Sequence, residues 1–157
     1  TGHGVPTLQS VLDCAKSDRD AVLIADGGIK TSGDVSKSIA AGADFVMLGS
    51  MLAGTEETPV EKIWSPEKGT WIYPYRGMAS VEAQIDWRGH TSSIEGVASS
   101  VTEKGKVADV IESILKGLRS GMSYSGASSI TDFQAKSSFL KQTVSSQVES
   151  STHINRV

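Results

Sequence analysis

The chain has a single cysteine, Cys14, among its 157 residues. That excludes a disulfide framework and any multi-cysteine zinc site, and it permits a reducing cytoplasm as the setting. No apolar run reaches the roughly 18 residues needed to cross a bilayer, so no membrane partner is expected. The opening TGHGVPTLQS has neither the charged start nor the apolar middle of a secretory signal. It also lacks an initiator Met and reads as the middle of a loop, so a piece of a longer chain is expected. Basic excess is missing too: 15 Lys and Arg are scattered among 18 Asp and Glu, giving a net charge of −3. Nucleic acid therefore has no electrostatic footprint to bind. His90 and His153 form no metal pair and show no zinc spacing. What remains is an ordinary globular composition, 38% hydrophobic and 21% charged, with core enough for one domain.

Periodicity supplies the first elements. Leu8, Val11, Leu12 and Ala15 fall on one helix face. Ala21–Ala25 (AVLIA) is a continuous apolar run that ends in Asp26-Gly27-Gly28, as expected of a parallel strand buried on both faces. Ser32 is placed to cap a helix through Val35 and Ile39 that stops at Gly42. Phe45–Leu48 is a second buried run, ending in Gly49-Ser50. The order helix, strand, helix, strand is the β/α alternation of a parallel sheet. Two strands cannot close such a sheet, so further strands are expected N-terminal to Thr1. Lys62–Trp64 and Thr70–Tyr75 flank Ser65-Pro66-Glu67-Lys68-Gly69 and predict a β-hairpin. Met78–Gly105, about 28 polar residues without clear periodicity, reads as a functional or mobile loop. Val107, Val110, Ile111, Ile114, Leu115 and Leu118 give the clearest amphipathic helix. A last helical stretch is expected over Thr131–Leu140, with Ile130, Phe133 and Leu140 inward. The tail from Ser145 is polar and expected to be disordered without a partner.

Both predicted parallel strands end in glycine. In β/α barrels the active-site loops lie at that end, and a phosphate is often held there by the loops after the last two strands. Glycine lets a backbone N–H approach an oxyanion with no Cβ in the way. Ser50 adds a hydroxyl, and an ionised Asp26 could accept both hydroxyls of a ribose. Asp26-Gly27-Gly28 and Gly49-Ser50 together suggest a nucleotide monophosphate or another sugar phosphate. Plain strand-to-helix turns are the alternative. No GxGxxG follows either strand, which argues against a Rossmann site.

The strings themselves resemble the IMP dehydrogenase/GMP reductase family. IADGGIKTSGDVSKSIAAGADFVMLGSMLAGTEE (Ile24–Glu57) looks like its seventh- and eighth-strand region. YRGMAS (Tyr75–Ser80) resembles the segment that cups the hypoxanthine ring. TGHGVPTL resembles the end of the catalytic loop, and GLRSGMSYSGA (Gly117–Ala127) the closing helix and turn. The resemblance implies an α/β fold: the C-terminal portion of a TIM (β/α)8 barrel with a β-hairpin/flap insertion after the last strand. Residues 1–144 would be barrel, with hairpin and active-site flap at 59–105, and 145–157 a polar tail. It implies that Asp26 binds ribose, that Gly28, Gly49, Ser50 and Tyr75 bind phosphate, and that Gly77, Met78 and Ala79 line the base with backbone groups. Glu95, in IEGV, would meet the purine N1 edge and assist proton transfer. The family's nucleophilic cysteine would precede Thr1. Cys14, inside a predicted helix, is instead read as a small apolar residue, and this chain alone is expected not to catalyse.

The resemblance also implies a nicotinamide cofactor, a purine 5′-monophosphate (GMP or IMP) as substrate, and a homotetramer. The short span from Met78 to Glu95, without an Arg-Tyr pair, is similar to the reductase and NADPH. So are VLDCA (Val11–Ala15) and GADFVML (Gly42–Leu48). TEETP (Thr55–Pro59) and VESSTH (Val148–His153) are more like the dehydrogenase and NAD. In the dehydrogenase the tail helps hold a monovalent cation such as K+, which makes Glu149 and Ser150 the candidates here. Ser92 replaces the reductase's Arg three residues before the acidic position. Arg88 is a solvent or phosphate contact or the flap's water-activating arginine, and Trp87 stacks on a nicotinamide or packs the flap. A non-catalytic nucleotide-binding or assembly module is the reading from a different class.

Overall fold

The computed structural model describes residues 3–18, 20–92 and 98–151. Helix α1 (Thr7–Cys14) leads to β1 (Ile24–Asp26), α2 (Ser32–Ala40) and β2 (Phe45–Met47). β1 and β2 pair in parallel, with Ile24 opposite Phe45 and Asp26 opposite Met47. Strands β3 (Ile63–Ser65), β4 (Thr70–Arg76) and β5 (Ala98–Thr102) form a separate antiparallel sheet in the order β3-β4-β5. α3 (Val81–Arg88) lies between β4 and β5, and α4 (Val107–Tyr124), α5 (Ile130–Lys136) and α6 (Val144–Glu149) follow.

The parallel pair is shorter and less covered than AVLIA and FVML suggest. Ala21–Leu23 is a lead-in, tied by the Leu23 N–H to the Asp44 carboxylate at 2.8 Å. Within β1 only Ala25 is buried, while Phe45 and Met47 of β2 are 61% and 51% exposed. The physical reason is the alternation of a strand: one face packs on the helices, and nothing among the described residues covers the other.

The cap of α2 is Thr31, not Ser32. Thr31 Oγ1 accepts the Asp34 N–H at 3.1 Å, and the Asp34 carboxylate accepts the Thr31 N–H at 3.0 Å, a reciprocal capping box. Ser32 is displaced by one residue because it has another task. A Cβ at Gly117 of α4 would overlap the Ser32 side chain, and one at Gly121 would sit 3.3 Å from Ser36 Oγ. Small residues four apart on each helix thus bring α2 and α4 together. Val35 and Ile39 from α2, Ile114 from α4, Phe133 from α5, Val11 from α1 and Ala25 from β1 form the core beneath.

Four further expectations are corrected. The stretch Met78–Gly105 carries α3 and β5. α3 has little apolar periodicity because its buried residues are Ala83 and Gln84, and β5 (ASSVT) is fixed by pairing with β4. α5 ends at Lys136; Phe133 is buried, but Ile130 is exposed and Leu140 is 90% exposed. The described start of the tail forms α6, begun by the Thr143 hydroxyl accepting the Ser146 N–H, while 152–157 lie outside the described residues. The hairpin stands as expected, with Trp64 opposite Trp71 and Gly69 turning at φ 61°. Cys14 is exposed, not packed as a small apolar residue. It ends α1 and borders an open hollow of about 430 Å³ beside β1.

Candidate functional site

The parallel register decides where the two glycine turns lie. β1 and β2 run parallel with Asp26 opposite Met47, so the Gly27-Gly28 turn and Gly49 both follow the same end of the pair. Gly27 (φ 87°) and Gly28 (φ 76°) both adopt the left-handed region, which a side chain would strain. They turn the chain away from Asp26, whose carboxylate is left exposed at the strand end. Thr7 of α1 closes over this turn, with its Oγ1 3.8 Å from where a Gly28 Cβ would stand.

Gly49 is glycine for a different reason. A Cβ there would lie 2.5 Å from the Tyr75 hydroxyl. Tyr75 sits on β4 opposite Ser99 of β5, so the antiparallel sheet delivers a phenol to the end of the parallel pair. Ser50 follows, and its carbonyl accepts a hydrogen bond from the Lys104 ammonium. Partial burial pushes the Lys104 amine below its ordinary pKa range. The segment after Ser50 is clamped from the same side. Lys104 N–H donates to the Gly54 carbonyl at 2.8 Å, and Glu56 N–H to the Gly105 carbonyl at 2.9 Å. Glu57 of the TEETP stretch accepts the Val107 N–H at 2.9 Å and so holds the start of α4.

Gly77, Met78 and Ala79 form a turn directly after β4. Ser80 N–H donates back to the Gly77 carbonyl at 3.0 Å, and Met78 is 72% exposed. Arg76, at the end of β4, is ion-paired with Asp86 of α3. On the other side of Tyr75 lies a cavity of about 700 Å³, lined also by Arg76, Glu61 and Glu82. Trp87 is largely exposed, with the Arg88 guanidinium 4.4 Å above its ring. It does not pack the segment. Glu95 lies outside the described residues. Glu149 ends α6 and Ser150 caps it, with its hydroxyl donating to Gln147 at 3.2 Å. Among the described residues, no three His, Cys, Asp or Glu side chains gather into a group able to hold a metal ion.

A model of the IMP dehydrogenase / GMP reductase domain matches residues 1–153. The chain belongs to this family. An IMP dehydrogenase from Nitrosopumilus maritimus is 42% identical over 98% of the chain, and a GMP reductase from Leishmania major is 43% identical over 97%. A solved GMP reductase from Trypanosoma brucei, in complex with guanosine 5′-monophosphate, superposes with a TM-score of 0.89 over 99% of the chain at 43% identity. The chain spans about a third of each: 35%, 33% and 33% of their lengths. The mixed α/β arrangement is shared with the matching third of that reductase. No helix among the described residues is long and apolar enough to cross a membrane.

Sequence reasoning missed three residues. Lys104 had a usable signal, a lysine beside Gly105 at a strand end. Ser80 (0% exposed) and Gln84 (4% exposed) are buried polar residues in a segment with no periodicity to reveal them.

Proposed function

We propose that this chain is the C-terminal part of a (β/α)8-barrel oxidoreductase acting on a purine 5′-monophosphate. The favoured reaction is the NADPH-dependent reductive deamination of GMP to IMP. One observation carries the reading: the Tyr75 hydroxyl meets Gly49 just past the end of β2, and the parallel partner β1 runs out at that same end into the Gly27-Gly28 turn. The backbone amides of the two glycine turns, the Ser50 hydroxyl and the Tyr75 phenol, all at one end of the pair, are donors that would suit an anion. Asp26 would take the ribose hydroxyls, and Gly77, Met78 and Ala79 would meet the base. Glu95 would handle protons at the purine. The cysteine nucleophile implied by the resemblance would come from the segment before Thr1, and the chain alone would be inactive.

The reductase is preferred because the segment from Ala79 to Ser92 is short and tied down, with α3 at its centre. A dehydrogenase needs a flap that leaves and returns with an activating arginine. NAD-dependent oxidation of IMP to XMP is the second reading, supported by dehydrogenase relatives as similar as the reductases. The residues present fit a dinucleotide: Trp87 offers an exposed aromatic face and Arg88 a cation beside it. When bound, the nicotinamide supplies or accepts the hydride. A homotetramer, a cytoplasmic setting and a K+ site near Glu149 and Ser150 belong to the same proposal.

The test uses the complete polypeptide and follows reduced nicotinamide by absorbance. Loss of signal with GMP is expected. A gain with IMP and the oxidised cofactor makes the protein a dehydrogenase, and no change with either leaves it a binding module. In the active protein, Glu95→Gln is expected to lower turnover far more than GMP affinity. Equal turnover would remove Glu95 from the chemistry.

A further inference from the structure

The geometry points to Gln84 as the positioning residue that fixes the backbone of the Gly77–Ala79 turn, and so as a determinant of how strongly this site selects a purine base. The inference rests on the reading above that this turn meets the base.

Gln84 is 4% exposed on α3 and next in line to the buried Ala83. Helix packing alone would favour an apolar residue there, because a buried amide costs free energy unless every polar atom is paired. The amide is paired on both sides. Its Nε2 donates to the Ala79 carbonyl at 2.9 Å. Its Oε1 accepts the Ser92 N–H at 2.9 Å and the Ser92 hydroxyl at 3.2 Å. One side chain therefore ties the chain before α3 to the chain after it.

The effect on the turn follows from peptide planarity. The Ala79–Ser80 peptide is held at both ends: its carbonyl by Gln84, and its N–H by the Gly77 carbonyl at 3.0 Å. Ser80 is fully buried and caps α3 by accepting the Ala83 N–H at 3.2 Å. The Gly77 carbonyl, which shares its plane with the Met78 N–H, is the acceptor of that Ser80 N–H, so both ends of the turn are anchored and the Met78 and Ala79 amides between them are restrained. Met78 itself is largely exposed, so its side chain contributes little to the constraint. Fixed donors bind a planar ring better than mobile ones, since no ordering is left to do on binding.

The experiment compares two probes, GMP and ribose 5-phosphate, by calorimetry on the complete polypeptide. Ribose 5-phosphate reports the ribose and phosphate contacts without the base, and the ratio of the two affinities reports the base. In Gln84→Met the ratio is expected to fall about tenfold, the worth of one or two net hydrogen bonds, with ribose 5-phosphate binding unchanged. Gln84→Glu keeps an acceptor for Ser92, replaces the donor to Ala79 with an oxygen and adds a buried charge. It should lower the ratio as well, and it serves where Gln84→Met does not fold. A wild-type ratio in the folded variants would overturn the assignment of Gln84. Equal affinity of the wild type for both probes would instead remove the base site, and with it the reading on which this inference stands. A loss that falls equally on both probes would mark Gln84 as a general packing residue and also overturn the assignment.

Discussion

Around β1 and β2 the buried side chains are, apart from Ser38, apolar and come from several elements, among them Val11, Ala25, Val35, Ile39, Ile114 and Phe133. In the β3–β4–β5 extension with α3, burial falls on Tyr73 and Ala83 and on two polar residues, Ser80 and Gln84. The first region is held by apolar burial, which is non-directional and tolerant of small shifts. The second is held by strand ladders and paired amides, which fix orientation. A scaffold needs the first, and a surface that must present backbone donors to a ligand needs the second. The candidate phosphate site lies where they meet, with the glycines from one region and the phenol from the other.

The largest expected effect breaks the scaffold. Phe133→Ala removes a buried ring beside Gly121 and should cost about 3–5 kcal/mol, seen as a lower denaturant midpoint. A cost as small as that of a surface change would mean that α5 is not part of the core. Next, Gly49→Ala strikes the seam. The added methyl must push the end of the Tyr75 side chain aside. Stability should change little, whereas GMP affinity should fall by about 1.5 kcal/mol, the scale of a hydrogen bond to a charged group. Unaltered affinity would separate Tyr75 from the phosphate.

The smallest effect is a pH term within the scaffold. Burial pushes the Asp34 carboxyl up, but hydrogen bonds from Lys37, Thr31 and the Lys30 amide outweigh it and hold the group below its ordinary value. A carboxyl depressed in the folded state stabilises above its unfolded pKa and loses that contribution as pH falls through the folded pKa. Asp34→Asn should cost about 1 kcal/mol at neutral pH, as for a weakened helix cap. It should also flatten the fall in stability on acidification. An unchanged acid limb would place the acid sensitivity elsewhere.

The two regions were not equally legible. α4 could be read from its apolar spacing, because its packing face is made of Val110, Ile114 and Leu118. The strand ends at Asp26 and Gly49 could be read because glycine after an apolar run is a strong local mark. α3 could not, since a helix that buries Ala83 and Gln84 leaves no apolar stripe. Nor could the reason for Gly49. Its constraint comes from Tyr75, on a strand formed much later in the chain, and tertiary approach leaves no local pattern. Val22 and Phe45 misled in the opposite direction. Their runs look buried on two sides, and within the described residues only one side is covered.

That bare side has a practical consequence. Among the described residues β1 and β2 pair only with each other, so each carries an outer rim of backbone groups beside the exposed Ile24, Phe45 and Met47. Such rims recruit any strand within reach. In the barrel proposed above, neighbouring strands would claim both rims. Handled by itself, residues 1–157 would stick to its own copies through the same rims. A companion segment supplied in trans should therefore do more for its solubility than any change to its surface charge.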